Sequence, residues 1–116
     1  MKLAISLALG ACLLMSSPAK AEMVGKASFY GTESGRTTAN GERFDPDGIS
    51  AAHWTLPFGT RVRVEDIATG KSIVVRINDR GPHPRLRRLI DLSRGAARQL
   101  GIISRGIANV RVTIVG

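Results

Sequence analysis

Four carboxylates and one histidine carry the proton chemistry open to this sequence. Glu42 and Asp45 lie in Thr38-Ala39-Asn40-Gly41-Glu42-Arg43-Phe44-Asp45, and His53 in Ala51-Ala52-His53-Trp54-Thr55-Leu56-Pro57. Asp79 lies in Asn78-Asp79-Arg80-Gly81-Pro82, directly after an apolar stretch, and Asp91 in Leu89-Ile90-Asp91-Leu92-Ser93. Each has a plain structural role open to it. Asp79 can cap a Gly-Pro turn, Asp91 can cap a following helix or favour its positive end, Glu42 can pair with Arg43, and His53 can be a core histidine. Together they suit another chemistry. Breaking a glycosidic bond needs a proton for the leaving oxygen and stabilisation of an oxocarbenium-like transition state. Carboxyl groups do both, one of them kept protonated by a neighbouring acid or by burial. Asp79, Asp91, Glu42 and His53 are therefore the candidate catalytic residues. Tyr30, Asn40, Asp45, Trp54, Asn78 and Arg80 are the candidate sugar contacts. A metal site has little to build on, because His53 and His83 have neither cysteine partners nor a ligand-spaced cluster; no cofactor is expected. No Gly-x-Ser-x-Gly elbow raises a serine hydrolase.

The elements that must position these groups are mostly strands. Val62 and Val64 alternate with Arg61 and Arg63; Ile73, Val75 and Ile77 with Ser72, Val74 and Arg76; Ala108, Val110, Val112 and Ile114 with Asn109, Arg111 and Thr113. Period-two alternation rich in β-branched residues marks half-buried strands, and Ala27 and Phe29 repeat the pattern earlier. One stretch reads as a helix: Ser93 caps it, Ala96, Ala97 and Leu100 share a face, and Gly101 ends it. Gly31 to Gly48 is long and polar, and a loop of that length in a small domain is usually functional. Several short strands with one short helix predict a small closed barrel.

The N-terminus is read separately. Lys2, the apolar run Leu3 to Met15 and the Ala19-Lys20-Ala21 pattern form a secretory signal peptide, with cleavage expected after Ala21. The run is too short to span about 20 residues of bilayer, so no membrane anchor is expected. Leu9-Gly10-Ala11-Cys12 offers a competing lipidation site, but the apolar residues continue through Leu13, Leu14 and Met15. The chain from Glu22 to Gly116 then holds no cysteine and is one domain by size, with a monomer as the working expectation. The whole chain carries +8, and without Lys2 and Lys20 its 15 Lys and Arg face 9 Asp and Glu, giving +6. After Asp79 the only acid is Asp91, while Arg80, Arg85, Arg87, Arg88, Arg94, Arg98, Arg105 and Arg111 follow. Such a surface attracts polyanions. An exported protein rarely meets nucleic acid, so murein, with its stem-peptide carboxylates, is the expected partner.

Several segments resemble one known family. Gly25-Lys26-Ala27-Ser28-Phe29-Tyr30-Gly31, the Thr38 to Asp45 and Ala51 to Val62 stretches, Val75 to Pro82, Ile90-Asp91-Leu92-Ser93 and Val110-Arg111-Val112 are similar, in order, to the RlpA-like double-psi β-barrel proteins. The resemblance implies a mainly β, six-stranded barrel of barwin and expansin type, with one or two short helices and a groove across one face. It implies lytic cleavage of the N-acetylmuramic acid to N-acetylglucosamine β-1,4 bond: the muramyl 6-hydroxyl attacks and a 1,6-anhydro end forms without water. In similar barrels the working acid lies at positions resembling Asp79 or Asp91, and Asp79 is preferred here for its polar neighbours. Two features depart from the family: His83-Pro84 replaces the usual aromatic after Gly-Pro, and Arg85 to Arg88 is unusually basic. The separate glycan-binding SPOR domain of many members is not expected, since the sequence stops at Gly116 after the last strand. The alternative function is a non-catalytic wall-binding or expansin-like wall-loosening module, and a third is a secreted inhibitor or effector on the same barrel.

Overall fold

A computed structural model describes residues 21–116, so the signal-peptide and lipidation expectations for residues 1–20 fall outside the described part. Six strands form: β1 (Glu22–Tyr30), β2 (Ser50–Ala52), β3 (Arg61–Asp66), β4 (Ser72–Asp79), β5 (Ile90–Ser93) and β6 (Ala108–Ile114). One α-helix, α1 (Arg94–Leu100), joins β5 to β6, and single 3-10 turns occur at Thr32–Ser34 and Pro84–Leu86. The strands close into a barrel in the order β1-β5-β2-β4-β3-β6. β1 runs parallel to β5 and β2 parallel to β4, while the other four pairings are antiparallel. Closure gives each described strand a partner on both sides. This is the six-stranded barrel that the alternating segments and the resemblance lead one to expect.

The alternation sets which side faces in. Val62, Val64, Val75, Ile77, Val110 and Val112 are all buried in the interior, with Ile90 and Leu92 beside them. Full burial of such a side chain contributes about 1.5–3 kcal/mol. Their sequence neighbours Arg61, Arg63, Arg76 and Asn109 face solvent. The helix lays Ala96, Ala97 and Leu100 on this core. Its ends are fixed as the sequence predicts: the Ser93 hydroxyl accepts from Ala96 N (3.2 Å), and Gly101 takes the left-handed conformation at φ 83°. The long loop is held against it, because Gly95 N donates to Pro46 O (2.8 Å) and a Cβ at Gly95 would lie 2.4 Å from Asp47 O. Among the described residues, no helix is long and apolar enough to cross a membrane.

An ion pair between a buried acid and an exposed arginine ties two further loops together. Asp66, fully buried at the end of β3, pairs with Arg105 from the α1–β6 loop and accepts from Thr69 Oγ1 (2.9 Å) and Ala68 N (3.3 Å). These donors, Arg105 first, hold its carboxyl below the usual aspartate range despite burial.

β2 matters most for the site. It is three small residues, all buried, inserted between β4 and β5. A bulge between Ala51 and Ala52 skips Asn78, so Ala51 pairs with Ile77 and Ala52 with Asp79. On its other side Ala52 pairs with Asp91. Bulges of this kind re-aim side chains beside functional sites.

Candidate active site

The register at Ala52 places Asp79 and Asp91 on the two strands flanking β2. Two strand spacings put their backbones about 10 Å apart, and both side chains line one open cleft of about 350 Å³. Ala52 and Tyr30 line it too, with Thr37 from the long loop and Pro82, His83, Leu86 and Arg88 from the β4–β5 connection.

Asp79 is held by three donors. Tyr30 OH donates to Oδ2 (2.8 Å), while Ala39 N and Arg80 N donate to Oδ1 (both 2.9 Å). Tyr30 is itself fixed by stacking on Phe44, with ring centroids 4.9 Å apart and planes 11° apart. Burial pushes the Tyr30 phenol well above its ordinary range, and the hydrogen bond to Asp79 and the negative charges of Asp79, Asp91 and Glu33 push it further. The hydroxyl therefore stays protonated as a donor to Asp79. Asp91 meets a different partner: Arg88 Nε donates to Oδ1 (2.9 Å) and Nη2 to Oδ2 (3.0 Å). This fork-to-fork pair fixes the carboxylate plane and raises the Arg88 guanidinium above its ordinary value. Asp91 does not cap α1, a role taken by Ser93.

The other candidates fall into two groups. Glu42 does not line the cleft or pair with Arg43. It accepts two bonds from Arg76 (Nη1 and Nη2, both 2.8 Å) and one from Asn78 Nδ2 (3.2 Å). Those bonds, Arg76 first, hold its carboxyl at about 2. Asn40 supports the same loop: its backbone N donates to Asn78 O (3.3 Å) and its Oδ1 accepts from Glu42 N (3.1 Å). Glu42, Asn40 and Asn78 thus fasten the long loop to β4, and the loop supplies Ala39 N to Asp79. His53 is buried, and its Nδ1 accepts from Thr55 N and Leu56 N (both 3.2 Å), so its proton sits on Nε2 when neutral. Burial first, and the Arg80 charge second, lower its pKa.

Arg80 borders the cleft, but its Nη1 donates to His53 O (3.2 Å) and Leu56 O (2.9 Å), and its Cζ lies 3.9 Å from the centre of the Phe58 ring. It braces the His53–Phe58 turn. Trp54 is 40% exposed and donates its indole N–H to Pro82 O, extending the cleft along Pro82 and His83. Asp45 is not in the acid cleft; it lines a second one with Thr32, Arg36, Arg43 and Phe44. Arg88 was legible only as one of a basic run, because its approach to Asp91 depends on Arg87 adopting a left-handed backbone at φ 55°. Among the described residues, no group of three or more His, Cys, Asp or Glu side chains could hold a metal.

Chemically, the cleft offers two carboxyls on opposite walls, one under a phenol hydroxyl and one under a guanidinium, over a floor of alanine. Comparison with known proteins agrees with the topology. A family described as "Lytic transglycolase" matches residues 22–112. A Nostoc protein named "Probable endolytic peptidoglycan transglycosylase RlpA" is 54% identical over 105 residues, covering 88% of this chain and 28% of that protein. A Synechocystis protein of the same name is 59% identical over 92 residues, covering 78% of this chain and 28% of that protein. The chain therefore spans little more than a quarter of the length of either relative. Among solved structures, the Streptomyces papain inhibitor superposes with a TM-score of 0.68 at 26% identity, over 85% of this chain and 98% of that one. With a family match over nearly all of the described barrel, and identities above one half, this chain belongs to the lytic transglycolase family of RlpA-like double-psi β-barrels.

Proposed function

We propose that this protein is an exported peptidoglycan lytic transglycosylase, cleaving the MurNAc–GlcNAc β-1,4 bond and leaving 1,6-anhydro-MurNAc ends in the cell envelope. The observation that carries the reading is the convergence of Asp79 and Asp91 on one open cleft of a family barrel. Asp79 is the acid and base. In its acid form it gives a proton to the leaving O4 of N-acetylglucosamine. The C6 hydroxyl of the muramyl unit attacks C1, and its proton passes to the Asp79 carboxylate, which ends the cycle as it began. Tyr30 orients Asp79 through its hydroxyl. Asp91, held flat by Arg88, presents negative charge from the opposite wall to the oxocarbenium-like centre. Arg88 is the reason for choosing Asp79 as the proton carrier: both Asp91 oxygens are engaged by a permanent cation, whereas Asp79 Oδ2 faces a hydroxyl that can rotate away.

Mass spectrometry of soluble products from purified sacculi tests this. Anhydro-muropeptides are expected, with release falling on the order of 100-fold or more in Asp79→Asn. Hydrolysed reducing ends would replace the lytic step with hydrolysis, and no release at all would leave a wall-binding module. If Asp91→Asn alone is dead while folded, the roles of the two acids are exchanged. Protein recovered from the envelope should begin at Glu22-Met23-Val24 by N-terminal sequencing; a lipid-modified Cys12 would overturn the processing reading.

A further inference from the structure

We infer that Arg36 and Arg43 form a carboxylate-binding subsite, which recognises an acidic substituent of the glycan next to the bond that is cut; this rests on the transglycosylase reading above. The two arginines line the second cleft, a space of about 430 Å³ whose other walls include Thr32, Phe44 and Asp45. Of the thirteen arginines, five (Arg76, Arg88, Arg98, Arg105 and Arg111) lie within 4.0 Å of an acid among the described residues, and what distinguishes Arg36 and Arg43 from the others is that the two share this cleft. Among the described residues Arg36 and Arg43 make no such pair, although both face a concave surface. The acids close to them in sequence are engaged in full at Glu33 and through one oxygen at Asp45. Glu33 directs both oxygens to Gly31 N (2.9 Å each), and Asp45 Oδ1 accepts from Asp47 N (3.0 Å). Two guanidiniums against the one Asp45 carboxylate leave the cleft with a net positive lining and unspent donors, the arrangement that suits a planar carboxylate.

Its position relates it to the acid pair. Tyr30 walls the acid cleft and Phe44 the second one, and their rings stack 4.9 Å apart. Thr37, which lines the acid cleft, forms a β-bridge with Arg43. One pair of stacked rings therefore separates the two spaces, so sugars adjoining the scissile bond lie within reach of the arginines. On a murein strand the carboxylate has two sources: the free lactyl group of a muramic acid stripped of peptide, or the stem peptide itself.

The test is equilibrium binding by calorimetry to the full protein carrying Asp79→Asn, which prevents turnover. Three tetrasaccharides serve as probes: a GlcNAc–MurNAc repeat with free lactyl groups, the same repeat carrying tetrapeptide stems, and chitotetraose, which has no carboxylate. Arg36→Gln with Arg43→Gln should weaken binding of a carboxylate-bearing probe by about tenfold or more, the scale of one lost charge-assisted hydrogen bond, and leave chitotetraose unchanged. A loss confined to the lactyl probe assigns the lactyl group, and one confined to the stem-bearing probe assigns the peptide. Equal losses on all three probes, no loss on any, or no parent affinity for either carboxylate probe would overturn the subsite. Each single variant, both at exposed positions, repeats the comparison should the double variant melt early. Because the readout is binding, the subsite can fail while anhydro products still form, and it can stand if they do not.

Discussion

Tyr30→Phe removes one oxygen from the site and leaves the ring on Phe44. Its cost follows from the contacts. A hydrogen bond to a charged group contributes about 1.5–3 kcal/mol. Asp79 keeps two backbone donors and the cleft is open to water, so the lower end applies, about 1.5 kcal/mol. For a domain of this size that is a fall of about 6–12 °C in Tm. Transglycosylase release should fall about tenfold or more, since Asp79 loses the hydroxyl that aims it. The chain has a single tyrosine, so ultraviolet difference spectra follow this phenol alone. Because its folded pKa is raised, the stability it lends is fully present below the ordinary tyrosine value near 10. That stability is lost as pH rises through the raised value. Tyrosinate should thus appear in the parent only with alkaline unfolding. In Asp79→Asn, which removes one charge and the charged acceptor, it should appear at lower pH. A folded parent whose tyrosine ionises near pH 10, together with a Tyr30→Phe variant that melts and cleaves like the parent, would refute the assignment of Tyr30 as the residue that orients Asp79.

Two further perturbations separate scaffold from site. His53 has a lowered pKa, so the stability it contributes is complete above its ordinary value near 6.5 and is lost as pH falls through the folded one. His53→Asn keeps a side-chain acceptor for Thr55 N and Leu56 N, and melts between about pH 6.5 and 5 should become flatter than the parent's; an unchanged slope would count against His53 as its source. Ala52→Leu puts bulk into the cleft floor. It should cost about 1–3 kcal/mol in a melt by overpacking and at least about tenfold in anhydro-muropeptide release, a rate loss that stabilising the fold by lower temperature does not restore; release at the parent rate would show that substrate does not approach the floor.

The strands with β-branched alternation, β3, β4 and β6, are legible because their burial has period two, and α1 because Ser93 and Gly101 punctuate it. β2 is not legible. Ser50-Ala51-Ala52 has no alternation, since a strand enclosed by neighbours on both sides and packed within the barrel can be small throughout. The two acids stand out in sequence by their places at the end of β4 and in β5 just ahead of α1, but their proximity comes from the insertion of β2 and its bulge, which are non-local facts. Glu42 shows the same limit: Arg43 adjoins it in sequence, yet Arg76 on the outer face of β4 takes it. Arg80 looks free in sequence and is occupied in the fold by two carbonyls and a ring. Arg88 reaches Asp91 only through a left-handed arginine, a conformation that its residue type does not announce.

The position of β2 also bears on how the molecule comes together. Its neighbours along the chain are β1 and β3, but its hydrogen-bonding partners are β4 and β5, so no hairpin can form it early. Such non-local pairing must meet the entropy of closing long loops before it is rewarded, and it is slow. The segments that carry Asp79 and Asp91 can acquire local shape beforehand, but their spacing exists only after the central strand has been threaded between them. A partly folded chain therefore lacks the paired-acid cleft, which is complete only when the ring shuts.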